Sequence, residues 1–163
     1  FPAAWLAAFA TAWACVLDYG LTPRVTVVLD KATRTRELIE ASGAFALQLP
    51  TRAQIALTVG VGTDSLHTVP DKLARHGVEL FEAPGADLPL VAGCVGWLAC
   101  RLRPEPHNQQ AYDLFIGDVV GAWADERVFS AGRWQFGAAP DALRTIHHVA
   151  GGQFFVTGAA AQA

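Results

Sequence analysis

The chain has 163 residues and a mass of 17.3 kDa, with 12 lysines and arginines against 15 aspartates and glutamates, a formal net charge of −3, and 52% hydrophobic but only 17% charged residues. That balance excludes a broad nucleic-acid face, which needs a basic surface over several phosphates, but it leaves room for a local cationic patch that takes one small anion. A chain this long buries about 68–70% of its unfolded surface as a single domain, here residues 1–163, and needs neither a disulfide nor a metal to do so.

Residues 1–17 carry one polar side chain, Thr11. The run is slightly short for a membrane span, rich in alanine and unflanked by basic residues, and it lacks the charged start of a signal peptide. Buried strand material is therefore expected there, with no membrane insertion. The sequence contains no methionine, not even an initiator, which leads us to expect a processed or incomplete product.

Arg24–Asp30, "RVTVVLD", is β-branched and follows Thr22-Pro23, so it reads as a buried strand after a turn. Lys31–Thr33 connects it to a helix over Arg34–Ser42, which carries Leu38, Ile39 and Ala41 on one side and stops at Gly43. Ala44–Pro50 returns as a strand. Thr51–Thr58 begins another helix, and Val59–Pro70 reads as a glycine-containing loop. Asp71–His76 is a short helix ended by Gly77, and a long strand is expected over Leu90–Leu102. Arg103–Gln110 reads as a turn and Tyr112–Ala124 as a strand in which Gly117 and Gly121 mark bulges or bends. The tail from Phe129 to Gly158 holds two apolar segments around Gly151-Gly152. Strands outnumber helices, and the helices sit in the connections, which favours a mainly β closed barrel over a doubly wound α/β sheet.

Cys15, Cys94 and Cys100 are odd in number and include no C-x-x-C pair, so they signal neither a disulfide framework nor a zinc site. On one strand from Val91 to Arg101, Cys94 and Cys100 would share a face but stand too far apart to bond. We expect three free thiols in a reducing cytoplasm. His147 and His148 are neighbours on a strand, so they point to opposite faces, and no third ligand stands at metal spacing. Ser65 and Ser130 lack a nucleophile-elbow setting, and Gly60-x-Gly62 is too short for a dinucleotide fingerprint.

The polar stretch Lys31–Gly43, "KATRTRELIEASG", carries the chemistry. A helix start presents unpaired N–H groups and partial positive charge. Thr33 and Thr35 add hydroxyl donors, and Arg34 or Arg36 offers a bidentate fork to phosphate oxygens. No capping box closes this helix start, because Arg36 and Leu38 stand where Glu or Gln would be needed. Taken by itself, a threonine cap followed by solvated arginines is also an ordinary helix entrance, and both readings remain open at this level.

The ordered segments "KATRTRELIEASGAFALQLP", "PDKLARHGVELF", "LPLVAGCVGWLACRL" and "AYDLFIGDVVGAWAD", with the tail "LRTIHHVAGGQFFVTG", resemble the flavin reductase-like family, which includes flavoredoxin. The resemblance covers roughly residues 9 to 125. It implies an FMN-binding split β-barrel of Greek-key type with short connecting helices. It also implies hydride transfer from NADH or NADPH to flavin and on to an acceptor, and a flavin site at a homodimer interface.

By resemblance Lys31, Thr33, Arg34, Thr35 and Arg36 are the phosphate ligands. Thr11, Ala12 and Trp13 lie along the isoalloxazine ring, and the loop from Gly62 to Ser65, leading to Asp71 and Lys72, closes over the flavin or the nicotinamide. FMN is the expected cofactor, with FAD as the alternative. The expected partners are the nicotinamide nucleotide and a monooxygenase or other electron acceptor, with no nucleic acid and no metal.

Two features depart from the family. Its Asp-His pair before the Leu-Phe-Ile-Gly-Glu-Val strand is Ala111-Tyr112 here, which leaves Tyr112 as the group able to stack on a nicotinamide. Its N-terminal strand pair is replaced by a run through Leu6–Phe9, where we expect residues to be missing. Alternatives are a flavoredoxin-like electron carrier without NAD(P)H turnover, and a split-barrel module holding FMN, haem or another ligand without catalysis. Because residues 34 and 36 lie about 200° apart on a helix, one arginine is expected to hold FMN while the other faces solvent, the partner subunit or the nicotinamide nucleotide.

Overall fold

A computed structural model describes residues 13–18 and 20–161. In chain order the elements begin with β1 (Ala14–Asp18), β2 (Arg24–Val28), α1 (Arg34–Ser42), β3 (Ala44–Leu49), a 3₁₀ turn at Arg52–Gln54, α2 (Ile55–Thr63) and α3 (Lys72–Arg75). Then come β4 (Leu80–Phe81), β5 (Leu90–Val91), β6 (Gly96–Arg103), α4 (Pro106–Ala111), β7 (Leu114–Ala124), β8 (Phe129–Ser130), β9 (Arg133–Trp134), β10 (Ile146–Ala150) and β11 (Gln153–Val156). Five strands form one antiparallel sheet in the order β1-β2-β7-β6-β3, and β4-β5, β8-β9 and β10-β11 form separate pairs.

The period-2 pattern of β2 explains its place in the sheet: Val25 and Val27 are buried while the residues between them are half-exposed. They join Leu29, Ile39, Phe45, Cys100 and Phe115 in the main core. A second cluster forms around Leu90, Val91, Cys94 and Trp97, whose indole N–H donates to the Val91 carbonyl at 3.0 Å.

Helix α1 occupies the span read from sequence, with Thr33 as N-cap and Gly43 as C-cap at φ 70°. Five expectations change. The helix begun at Thr51 extends through Gly60 and Gly62 to Thr63, because a Cβ at Gly60 would lie 2.2 Å from the His76 ring and its absence lets α3 pack there. The single strand over Leu90–Leu102 is divided into β5 and β6, since Gly93 turns the chain at φ 86°. The turn over Arg103–Gln110 contains α4, begun by Pro106 at a position that needs no amide donor.

At the N-terminal end, β1 is an exposed edge strand: Trp13 is 71% and Val16 52% exposed, contrary to the buried strand expected. The β6-β7 ladder passes from Ala99↔Gly121 to Cys100↔Val119, so Val120 forms the bulge, while the lack of a side chain at Gly117 makes room for the Phe45 ring. No helix among the described residues is long and apolar enough to cross a membrane.

Two charged clusters hold these elements in place. Asp18, Arg24, Asp118 and Arg101 fall in register across β1, β2, β7 and β6. Asp118 accepts from Arg24 Nε at 3.0 Å and from Arg103 Nη2 at 3.0 Å, and Asp18 accepts from Arg24 Nη1. The Arg103 bond, then the Arg24 bond, hold the Asp118 carboxyl below the usual carboxylate range against the opposing effect of burial.

The second cluster centres on Arg36, which is 5% exposed. Its guanidinium donates to Glu40 at 3.0 Å, to the Leu29 carbonyl at 3.3 Å, to the Gln109 carbonyl at 2.8 Å and to the Asp113 carboxylate, and it lies 5.1 Å from the centroid of the Phe115 ring. It thereby ties α1 to the end of β2, to α4 and to the start of β7.

A depressed folded-state pKa stabilises above the ordinary carboxylate value, and that stabilisation disappears as pH falls through the folded value. Asp118→Asn is therefore expected to lower the melting temperature by about 2–4 °C at pH 7 and to flatten the loss of stability between pH 5 and 3, followed by thermal unfolding across that range. Asp113→Ala leaves Arg36 without one of its two carboxylates and is expected to cost about 1.5–3 kcal/mol in urea unfolding. Wild-type stability in that variant would show that Asp113 does not anchor Arg36.

Candidate functional site

The end of β2, the Asp30–Thr33 connection, the start of α1, the end of α2 and the following Asp64–Leu66 segment enclose a cleft of about 380 Å³, with Lys72 and Asp113 also in its wall and Trp13 at its edge. Ligand pockets typically occupy about 300–1,000 Å³, so the cleft is of a size to take part of a nucleotide. The turn that opens it is made by Asp30, whose carboxylate accepts the Ala32 N–H at 2.7 Å and whose carbonyl accepts the Thr33 hydroxyl at 2.8 Å.

Thr33 then caps α1 by accepting the Arg36 N–H at 3.4 Å. The amides of Arg34 and Thr35 have no acceptor among the described residues, as helix geometry dictates for the first turn. Thr35 is 6% exposed, lines the cleft, and its hydroxyl has no hydrogen-bond partner among the described residues. Two N–H donors and one hydroxyl thus sit together at the positive end of a helix.

Two cations flank them. Arg34 borders the cleft while paired with Glu37 one turn on. Lys72, 4% exposed, donates to the Asp64 carbonyl at 2.9 Å. Burial pushes its ammonium below the ordinary lysine range, and the Asp64 carboxylate opposes that shift. The Asp64 carboxylate lies 2.8 Å from His76 Nε2.

Of the residues singled out from sequence, Trp13, Thr33, Arg34, Thr35 and Lys72 border this cleft. Thr11 and Ala12 lie outside the described residues. Lys31 and Arg36 are placed elsewhere. Lys31 Nζ donates to the Gln110 carbonyl at 2.8 Å and lies 3.7 Å from Asp113. Arg36, on the side of α1 turned toward the sheet, is held in the internal cluster and faces neither solvent nor the cleft. The separation of residues 34 and 36 around the helix was legible, but the acceptor that captures residue 36 was not.

Asp30, Asp64 and Asp113 were missed. For Asp113 the only local signal is its place before the β7 strand, where it takes φ 54°, a left-handed conformation that aspartate tolerates better than most residues. Tyr112 is 63% exposed and meets the His107 ring edge-on at 5.6 Å, and it does not line the cleft. Gly62 and Thr63 contribute to the wall as the last turn of α2, followed by Asp64 and Ser65.

Among known proteins, YddH of Escherichia coli (strain K12) is 42% identical over 150 residues, spanning 91% of this chain and 77% of that protein. The crystal structure of an FMN-binding domain of a flavin reductases-like enzyme from Shewanella baltica OS155 is 56% identical, with a TM-score of 0.90 over 93% of this chain and 78% of that one. Flavoredoxin of Desulfovibrio vulgaris (Miyazaki F) shares the fold at 22% identity, with a TM-score of 0.76 over 95% of this chain and 80% of that one. The architecture is therefore mainly β with short connecting helices, of the split-barrel type. Residues 5–142 match the flavin reductase like domain, and with the 42% identical relative spanning most of the chain, this protein belongs to that family.

Proposed function

We propose that the protein binds FMN in this cleft and acts as an oxidoreductase, taking hydride from NADH or NADPH and passing reducing equivalents to free flavin or another acceptor. The observation that carries the reading is the Thr35 hydroxyl, on a residue only 6% exposed and unpartnered among the described residues, beside the open amides of Arg34 and Thr35. These donors fit a terminal phosphate: two N–H groups, one hydroxyl and the Arg34 guanidinium supply charge-assisted bonds that a neutral ligand would leave unmade. Lys72 adds a second positive charge in the wall.

Val28, Leu29, Val61 and the edge residue Trp13 give the cleft an apolar lining suited to the flat ring of a flavin. When bound, FMN would supply the redox chemistry, and the chain would supply binding, orientation and exclusion of water. FAD is a longer alternative that shares the flavin ring.

Trp13, Val16, Leu17 and Leu21 make β1 and its turn an exposed apolar edge, which supports a homodimer built on this strand. The partner class that fits the reaction is a monooxygenase component or other electron acceptor. Cys15, Cys94 and Cys100 are all free, and burial pushes the Cys94 and Cys100 thiols up to about 12, so these two stay protonated and inert; free thiols fit a cytoplasmic setting. The exposed Tyr112 in place of the family's histidine favours a second reading, an electron carrier of flavoredoxin type without a nicotinamide site.

Purified protein that binds FMN and oxidises NADH or NADPH supports the reductase; bound FMN without nicotinamide turnover supports the carrier; no flavin affinity rejects both. Arg34→Ala is expected to weaken FMN binding by about 1.5–3 kcal/mol while leaving riboflavin binding unchanged, as read by fluorescence titration. Equal loss for both ligands would remove Arg34 from the phosphate site.

A further inference from the structure

The cleft wall at the α1 start and the wall that follows α2 meet through three side chains. Arg34, which borders the cleft, pairs through Nη1 with one oxygen of Glu37, and the other oxygen of that carboxylate lies 3.3 Å from His67 Nε2. His67 follows Ser65 and Leu66, which line the wall facing α1. Glu37 and His67 do not line the cleft, and their side chains are 46% and 41% exposed, so they form a bridge on its solvent side, beyond Arg34.

The loop that carries His67 is braced by itself. The Thr68 and Val69 amides donate to the Ser65 carbonyl at 3.0 and 2.8 Å, and the His67 amide donates to Ser65 Oγ at 3.3 Å. Lys72 Nζ fastens the start of the loop through the Asp64 carbonyl at 2.9 Å. A segment whose backbone groups are met in this way resists local opening, so the bridge has one fixed post on the loop and another on helix α1.

We propose that Arg34, Glu37 and His67 form a specificity filter that admits FMN and disfavours FAD. This inference rests on the flavin reading above and deepens it, since it names which flavin nucleotide the cleft takes. Arg34 is both a member of the bridge and a neighbour of the open α1 amides, so a phosphate held there has the bridge beside it. FMN ends at that phosphate. FAD continues through a second phosphate to an adenosine, and this extension leaves the cleft past Glu37 and His67. It meets a carboxylate there, and α1 offers no compensating cation: Arg36 is turned inward onto Asp113, and the last turn of the helix has no basic residue.

Discrimination is a difference of two affinities, and it is achieved by setting an obstacle or a like charge against the unwanted ligand. The bridge does both, with side chains across the exit and the Glu37 carboxylate beside the second phosphate. Contacts among half-exposed charged groups are individually weak, so the filter amounts to about a factor of ten and not to exclusion.

The experiment is isothermal titration calorimetry with FMN, FAD and riboflavin, at one pH, on the wild type, His67→Ala and Glu37→Ala. The wild type is expected to bind FMN about tenfold more tightly than FAD. His67→Ala opens the exit and leaves the pair of Arg34 and Glu37 in place, so FAD is expected to tighten about three- to fivefold with FMN unchanged. Glu37→Ala also removes the carboxylate and frees Arg34. Both nucleotides then tighten, FAD by more, and the ratio of the two affinities falls to about two. Riboflavin, which has no phosphate, is expected to bind all three proteins alike; a contact that merely held the fold would move riboflavin together with the nucleotides.

Equal binding of FMN and FAD by the wild type, an affinity ratio that both variants leave unchanged, or a loss of riboflavin binding in both variants that matches the change in the nucleotides overturns this inference and leaves the flavin reading standing. Absence of binding for all three flavins by the wild type overturns both.

Discussion

A buried guanidinium organises the cleft. Arg36 is charged at every accessible pH, and taking it out of water is costly unless its donors are met. The structure meets them with four acceptors: the carboxylates of Glu40 and Asp113, and the carbonyls of Leu29 and Gln109. Satisfying this one group requires the end of β2, the start of β7 and the C-terminal part of α4 to converge on the first turn of α1. That convergence sets the position of the α1 N-terminus, and with it the open amides of Arg34 and Thr35.

The rest of the site follows from a distribution of charge around this fixed point. Arg36 takes the inner acceptors, which leaves Arg34, on the other side of the same helix turn, at the cleft. Opposite stands Lys72, whose burial disfavours its charge while Asp64 supports it. The cleft therefore combines helix-end N–H donors with two side-chain cations, Arg34 and Lys72. Arg24, Asp18, Asp118 and Arg103 tie β1, β2, β7 and β6 together, and the Val28 N–H donates to the Trp13 carbonyl at 3.1 Å, which holds Trp13 beside the end of β2.

How much of this was legible in the sequence differed by residue. Thr33 as cap, Gly43 as stop and the alternation of Val25 and Val27 are local signals, and helix α1 and strand β2 were read correctly from them. The family was legible because several such segments occur in the right order. Helix α2 was cut short at Val59, because a glycine inside a helix reads as a loop unless the His76 ring that needs the space is known. Which of Arg34 and Arg36 turns away from the cleft was not legible, because the captor of Arg36, Asp113, lies 77 residues away in sequence. The burial of β1 was misjudged because an apolar edge strand and an apolar core strand have the same composition.

The position of a bound phosphate is the most direct test of the α1 N-terminus as the anion site. A crystal structure with FMN bound is predicted to place the phosphate within hydrogen-bond distance of the Arg34 and Thr35 amides and the Thr35 hydroxyl, with Arg36 still held by Asp113. A phosphate bound away from the α1 start, or one taken by Arg36 after it has left Asp113, would contradict it.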